Sequence, residues 1–111
     1  MTSNNSEKTQ LTSRDKKQLR QIAHHLDPVV TLSDTSVSDG VHGETERALS
    51  DHELIKVKLP LIEKAHRQEA ALNLAQMCEA EVVQHIGKVA VLYRKNPKAN
   101  PKLSNLARYG A

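Results

Sequence analysis

Residues 53–59 of the chain read ELIKVKL, and this stretch identifies a β-strand. Ile55 and Val57 alternate with Lys56 and Lys58, and successive side chains of a strand point to opposite faces of the sheet. One face of the strand is therefore apolar, and the other carries two lysines. The pattern predicts a sheet that packs on a core with one face and is open to solvent on the other.

The elements on either side of this strand follow from helical periodicity and from turn signals. A helix is expected to begin at the capping-box pattern of Thr12 and Asp15 and to end before Pro28. Helical spacing of apolar residues marks two further helices, and β-branched residues mark the strands. The other predicted elements are strand 29–32, helix 37–50, helix 63–78, and strands 81–86 and 89–94 joined by Gly87 and Lys88.

The order α-β-α-β-α-β-β predicts an α/β fold of the two-layer α+β type. Crossovers through helices make strands parallel and the closing hairpin adds an antiparallel pair, so we expect a mixed four-stranded sheet. Right-handed crossovers are expected to place the helices on one face, which leaves the lysine face open. The chain has 111 residues, enough for one domain. We expect a disordered N-terminal arm over 1–11, the domain over 12–95 and a basic, extended C-terminal tail over 96–111.

Composition excludes several classes of protein. Aromatic residues make up 2% of the chain, which argues against domains that stack bases on aromatic rings and against aromatic cages for methylated lysine. The single cysteine, Cys78, cannot form an internal disulfide, and the first residues lack the pattern of a secretion signal. The longest apolar run, 89–93, is far shorter than the roughly 20 residues that cross a bilayer. We expect a soluble, cytoplasmic monomer without membrane contact.

Basic residues concentrate at both ends of the chain. Residues 1–22 carry five Lys and Arg against two Asp and Glu, whereas residues 23–93 carry six against 11. Residues 94–111 carry five cations and no acid. Basic ends around an acidic middle are typical of a protein that binds a polyanion, because each cation set against a phosphate releases counterions. Charged tails that only keep a small domain in solution would show the same layout.

Candidate metal and catalytic groups are scattered along the chain. None of the six histidines forms a His–His pair at spacing i, i+4, and no Cys-x-x-Cys motif occurs. His42 and Glu46 are four residues apart on a predicted helix. Cys78 lies on the apolar stripe of the third helix, where a thiolate is disfavoured. We therefore expect no metal, no cofactor and no enzymatic activity.

The loop Ser33–Ser36 is the best candidate for binding an anion. It leads from a strand into a predicted helix, and the free N–H groups at a helix start favour a phosphate. Its three hydroxyl groups add hydrogen-bond donors. A purely structural role is also open, because Ser36 or Ser38 could cap the helix and Asp34 would repel a phosphate unless it points away.

Five segments together resemble the YhbY family of bacterial RNA-binding proteins. This family is the stand-alone bacterial form of the CRM domain, named for chloroplast RNA splicing and ribosome maturation. The resemblance covers residues 11–95 and implies a fold similar to the C-terminal domain of translation initiation factor 3. It also implies association with precursors of the large ribosomal subunit. The segments are Ala23-His24, 28–30 (PVV), 52–58 (HELIKVK), 83–88 (VQHIGK) and 91–94 (VLYR).

One position departs from the family pattern. The family carries a Gly-x-x-Gly loop after its first strand, comparable to that of KH domains, where glycine lets the backbone approach RNA phosphates. Ser33 and Ser36 stand at the matching positions of this chain. A literal Gly-x-x-Gly occurs at Gly40 and Gly43, but it lies inside the second predicted helix, where the helix already uses the amide groups.

Charge layout and resemblance favour a non-enzymatic RNA-binding protein that assists assembly of the large ribosomal subunit. Contacts with ribosomal RNA would be mainly to phosphate and sugar and steeply dependent on salt. The residues expected to contact RNA are Arg14, Lys17, Arg20, His24, His25, Ser33, Asp34, Thr35, Ser36, Lys56, Lys58, Lys88, Arg94, Lys95 and Lys98.

An alternative hypothesis is a protein-interaction module. Such a module would dock on ribosomal proteins or on an assembly factor through the acidic middle of the chain. Its surface would consist of Glu44, Glu46, Asp51 and Glu53.

Overall fold

The alternating segment forms β2 (Leu54–Lys58), which lies between two other strands of one sheet. The computed structural model describes residues 11–110, so the predicted N-terminal arm lies outside the described residues except for Leu11. The other strands are β1 (Pro28–Thr31), β3 (Glu81–Ile86) and β4 (Val89–Tyr93). The helices are α1 (Ser13–Ala23), α2 (Asp39–His52), α3 (Lys64–Met77) and α4 (Asn105–Tyr109).

The sheet has four strands in the order β1-β2-β4-β3. β1 and β2 are parallel, whereas β4 is antiparallel to both β2 and β3. The predicted mixed four-stranded sheet is confirmed. β4 separates β2 from β3, because the hairpin returns β4 into the gap between the two parallel strands.

The first core lies on the face of the sheet that carries Ile55 and Val57. Leu49 of α2 and Leu74 of α3 pack on this face, and all four side chains are at most 1% exposed. Cys78 at the end of α3 is fully buried in the same core. It is the small buried hydrophobe that the sequence predicts, and burial raises the pKa of its thiol to about 11.

A second core covers the lysine face, so the expectation of helices on one face only is wrong. Leu54 and Val91 are fully buried there beneath Leu19 and Ile22 of α1, and Leu106 of α4 packs against the same cluster. The alternation of residues 53–59 marks the lysines as solvent-facing. The same alternation does not show that pairing of β2 with β4 brings Leu54 and Val91 together. The two side chains form an apolar patch, which is stable only when another element packs on it.

The segment after residue 95 folds back instead of forming the expected extended tail. The Asn96 backbone N–H donates to Glu53 Oε1 at 2.7 Å, and the Ser104 hydroxyl donates to Glu53 Oε2 at 2.6 Å. The Asn105 side-chain amide donates to the Leu54 carbonyl at 2.7 Å, which fixes the start of α4. The local composition of Pro, Asn and Lys favours an extended chain, but these bonds reach residues about 50 positions away. Among the described residues, no helix is long and apolar enough to cross a membrane.

Candidate nucleic-acid interface

Three candidate features meet at one end of the sheet. Thr31 at the end of β1 pairs with Lys58 at the end of β2, and Lys58 pairs with Val89 next to the β3–β4 turn. The Leu32 N–H donates to the Lys58 carbonyl at 2.8 Å, and the Leu59 N–H donates to the Lys88 carbonyl at 2.7 Å. The Ser33–Ser36 loop, Lys58 and Lys88 are therefore neighbours, and we call this set the loop end.

The side chains of the loop end are accessible, although one loop amide is already occupied. Residues 33–36, Lys58 and Lys88 are all exposed. The Asp34 carboxylate accepts the Thr35 backbone N–H at 2.6 Å, so Asp34 points into the loop and a phosphate would have to displace it. Asp34 thus competes with a phosphate for the loop amide, which argues against the expected contact of Asp34 with RNA.

The loop does not run directly into the helix start. α2 begins at Asp39, and the Ser38 hydroxyl caps it by accepting the Val41 N–H at 3.2 Å. Of the two predicted caps, Ser38 rather than Ser36 has this role. Gly40 and Gly43 both lie in α2, but Gly40 is its second residue, in the first turn, where N–H groups have no partner within the helix. The expectation that the helix uses the amide groups therefore holds for Gly43 and not for Gly40.

A groove separates the loop from α3. Thr35, Ser36 and Asn73 line a depression of about 420 Å³ near His66 and Glu69. An adjoining depression of about 490 Å³ extends along the same helix to Gln76 and Met77. Hydroxyl and amide groups on both walls offer hydrogen bonds to sugar or base edges. Sequence reasoning missed the α3 side, because nothing in helical spacing shows which loop a helix faces.

The remaining strand lysine and the α1 cations lie on the same side of the sheet. Lys56 is half-buried opposite Val91, which belongs to the core beneath α1. On α1, Arg14 and Lys17 are exposed and Arg20 is half-buried. These cations and Lys56 are therefore basic residues of the sheet face that α1 covers.

The other predicted contacts lie at the opposite end of the sheet. His24 and His25 precede β1, and Lys95 and Lys98 follow β4, whose Tyr93 pairs with Leu54 at the start of β2. Their side chains are exposed. These four residues form a second group, separate from the loop end. We call His24, His25, Lys95 and Lys98 the opposite end.

Aromatic stacking gives the opposite end a feature that the sequence analysis missed. The rings of His25 and Tyr109 stack at 5.3 Å with an interplanar angle of 6°, and the Arg108 guanidinium lies 5.2 Å from the Tyr109 ring centre. The sequence contains only two tyrosines, and Tyr109 is the one that could have indicated a stacking site. Its position against His25 depends on the folding of residues 96–110.

Arg94 is partly buried and bonded to neighbouring elements. Its guanidinium donates to Glu46 Oε1 at 2.7 Å, the Cys78 carbonyl at 2.9 Å, the Glu46 carbonyl at 3.1 Å and Ser50 Oγ at 3.0 Å. These four bonds tie β4 to α2 and α3, and they argue against the expected RNA contact at Arg94. The sequence around Arg94 and Lys95 does not indicate these acceptors, because they lie in segments far away along the chain.

The acidic residues of the alternative docking surface are only partly available to a partner. Glu53 is 9% exposed and bonded to residues 96 and 104. Glu46 pairs with Arg94, and Asp51 lies 3.8 Å from Arg47. Glu44 is exposed, and the side chains of Glu46 and Asp51 are 41% and 38% exposed.

Comparison with known proteins identifies the family. The family model of the CRS1 / YhbY (CRM) domain matches residues 11–94. The chain belongs to this family. The resemblance carried by the HELIKVK segment is therefore confirmed.

Relatives of this CRM domain are named as RNA-binding proteins. "Probable RNA-binding protein PA4753" of Pseudomonas aeruginosa is 48% identical over 99 residues, covering 89% of this chain and 95% of the relative. An RNA-binding protein of Haemophilus influenzae is 39% identical over 95 residues, covering 86% and 96% of the two chains. Both matches run over nearly the whole length of the relative.

A solved structure supports the fold of the CRM domain. The solution structure of SAV1595 from Staphylococcus aureus matches with a TM-score of 0.72 at 28% identity. The match covers 82% of this chain and 95% of that chain. The expected likeness to the C-terminal domain of translation initiation factor 3 stays a prediction.

Proposed function

We propose that this CRM protein binds ribosomal RNA in precursors of the large ribosomal subunit and assists their assembly without catalysing a reaction. The observation that carries the proposal is the convergence of the Ser33–Ser36 loop, Lys58 and Lys88 at one end of the sheet. The names of the relatives support RNA as the ligand. We propose further that the protein acts in the cytoplasm as a monomer.

Contacts at the loop end are mainly to phosphate. The ammonium groups of Lys58 and Lys88 neutralise phosphates, and the loop hydroxyls donate hydrogen bonds to phosphate or sugar oxygens. Serine at positions 33 and 36 keeps the RNA backbone farther from the loop than glycine would, because its side chain occupies space. We therefore assign the larger share of the affinity to the lysines.

The salt dependence of binding tests this mechanism. Each phosphate contact with single-stranded RNA contributes a slope of about −0.7 in log K against log salt. The double variant Lys58→Ala, Lys88→Ala should reduce the steepness by about 1.4 and weaken binding at low salt. The matched control is Arg47→Ala, Lys102→Ala, which removes two exposed cations outside the loop end. Equal slopes for wild type and the loop-end variant would contradict the proposal.

Ultraviolet crosslinking in cells tests the biological target. Sequencing of the attached RNA should recover large-subunit ribosomal RNA, and mass spectrometry should find the crosslinks in peptides with the Ser33–Ser36 loop or Lys88. Recovery of unrelated RNAs at equal yield would overturn the ribosomal part of the proposal. Absence of any crosslinked RNA, with efficient crosslinking of a control protein, would overturn RNA binding itself.

A further inference from the structure

Three potential metal ligands from two helices meet next to the first core. His42 and Glu46 are one turn apart on α2, and Cys78 follows the last residue of α3. The ligand atoms of these three side chains lie within 4.8 Å of one another. Cys78 is 32 positions from Glu46 along the chain, so sequence spacing could not reveal the cluster.

The histidine nitrogen and the thiol both lie out of solvent. His42 Nε2 is buried and has no hydrogen-bond partner among the described residues, and Glu46 Oε2 lies 3.5 Å from it. A buried nitrogen without a partner is costly, so it points to a ligand. Cys78 is fully buried, and its Sγ lies within 4.8 Å of the ligand atoms of His42 and Glu46.

Arg94 positions the carboxylate for this cluster. It holds Glu46 Oε1 at 2.7 Å, which leaves Oε2 on the side of His42. It also holds the Cys78 carbonyl at 2.9 Å, so one guanidinium fixes two of the three groups. Hydrogen bonds of this kind orient the ligands of metal sites. A carboxylate and a thiolate together outweigh the single positive charge of Arg94.

We propose that His42 Nε2, Glu46 Oε2 and Cys78 Sγ bind a zinc ion, with water as the fourth ligand. Nitrogen, oxygen and sulfur donors suit Zn²⁺, whereas Mg²⁺ and Ca²⁺ require oxygen ligands. A tetrahedral zinc ion with bonds of about 2.0–2.3 Å holds its ligand atoms roughly 3.3–3.8 Å apart. The 3.5 Å between His42 Nε2 and Glu46 Oε2 fits this range, and the 4.8 Å limit of the cluster requires a closing movement of at most about 1.5 Å.

Zinc binding releases one proton from the site. Zn²⁺ forms a bond to Cys78 Sγ, and the thiol proton leaves to solvent, so no electron changes hands. The bound ion joins the first turns of α2 to the end of α3. The site is independent of the proposed RNA function, because none of its three residues belongs to the loop end.

Cobalt titration of the full chain tests the site. The protein is prepared without an added histidine tag, reduced and freed of metal, and then titrated with Co²⁺ and back-titrated with Zn²⁺. We expect one Co²⁺ per chain, with a thiolate-to-cobalt charge-transfer band and the strong visible bands of tetrahedral Co²⁺. Stoichiometric Zn²⁺ should abolish both, while Mg²⁺ should have no effect.

Variants separate this site from chance binding at other histidines. Cys78→Ser should abolish the charge-transfer band, and His42→Leu should weaken Co²⁺ binding at least about tenfold. The matched control His66→Leu removes a histidine that lies 3.6 Å from Glu63 on the surface, and it should bind like wild type. If Cys78→Ser does not fold, His42→Leu still tests the site, because His42 is half-exposed and its replacement should leave the fold intact.

Zinc should also stabilise the native state. Because Zn²⁺ binds the folded chain, it should raise the Tm of wild type and of His66→Leu but not of His42→Leu. Absent cobalt bands, or bands unchanged by His42→Leu, would overturn the site. RNA affinity of His42→Leu should equal that of wild type, so failure of the zinc site and failure of the RNA proposal give different results.

Discussion

At the scale of one residue, Arg94 is a basic side chain near exposed lysines that joins parts of the fold through hydrogen bonds. Its side chain is 21% exposed, and its guanidinium has four acceptors in α2 and at the end of α3. Arginine suits this place because its planar fork can reach several acceptors at once.

Replacing Arg94 should therefore lower stability rather than weaken RNA contacts. Arg94→Met should reduce the free energy of unfolding by about 1–3 kcal/mol, because buried acceptors lose their donors. Arg94→Lys should recover little of this, since an ammonium group does not reproduce the fork. Urea unfolding measures the effect, with exposed Lys95→Ala as a control expected within about 0.5 kcal/mol of wild type. A variant as stable as wild type but with weaker RNA binding would return Arg94 to the interface.

The pH dependence of stability should report on the same ion pair. The hydrogen bond from Arg94 holds the pKa of Glu46 below its usual 4.5. A carboxyl whose pKa is lower in the folded state stabilises the protein above its unfolded pKa, and this contribution is lost as pH falls through the folded pKa. Urea unfolding with a chelator present should show that the stability difference between wild type and Glu46→Gln shrinks below about pH 4.5. A difference that stays constant down to pH 3 would contradict this assignment.

At the scale of elements, one glycine weakens a helix whereas another is required by a turn. Gly43 lies in helix α2, and a Cβ there would meet nothing within 4 Å. Gly87 lies in the β3–β4 turn with a φ of +55°, a conformation that L residues adopt with strain.

Alanine at these two positions should change stability in opposite directions. Gly43→Ala should raise the free energy of unfolding by about 0.5–1 kcal/mol, because alanine loses less backbone entropy in a helix. Gly87→Ala should lower it by about 1 kcal/mol or more. Thermal or urea unfolding measures both. If Gly43→Ala instead weakens RNA binding, the Gly-x-x-Gly pair inside α2 contacts RNA, contrary to our assignment of the loop end.

At the scale of the whole molecule, the basic residues are divided between two ends. The described part of the chain measures 36 × 35 × 26 Å along its principal axes. The Debye length at physiological salt is about 8 Å, so the charges of the loop end and those of the opposite end are screened from each other. Only an RNA long enough to span the molecule can contact both.

RNA length should therefore determine which lysines matter. For an RNA too short to span the molecule, Lys58→Ala, Lys88→Ala should weaken binding, whereas Lys95→Ala, Lys98→Ala should have little effect. For a long ribosomal fragment both double variants should weaken binding, and their effects on log Kd should add. Fluorescence anisotropy at fixed salt measures each affinity. Loss of short-RNA binding only in the Lys95→Ala, Lys98→Ala variant would place the main site at the opposite end.

The strands, the main helices and the family are predictable from local patterns of residues. Alternation in residues 53–59, the capping pair Thr12 and Asp15 and the turn at Gly87 are local signals, because they depend on backbone geometry within a few residues. These signals do not depend on which other segments lie nearby.

Contacts between residues far apart in the chain became visible only in the folded molecule. The tertiary structure buried Leu54 beneath α1, directed Arg94 to Glu46, folded residues 96–110 against Glu53 and brought Cys78 to His42. The physical reason is that burial and hydrogen-bond pairing depend on contacts between segments far apart in the chain, and one sequence shows no such distances. The loop end itself is of this kind, because strand register places Lys58 and Lys88 beside residues 33–36.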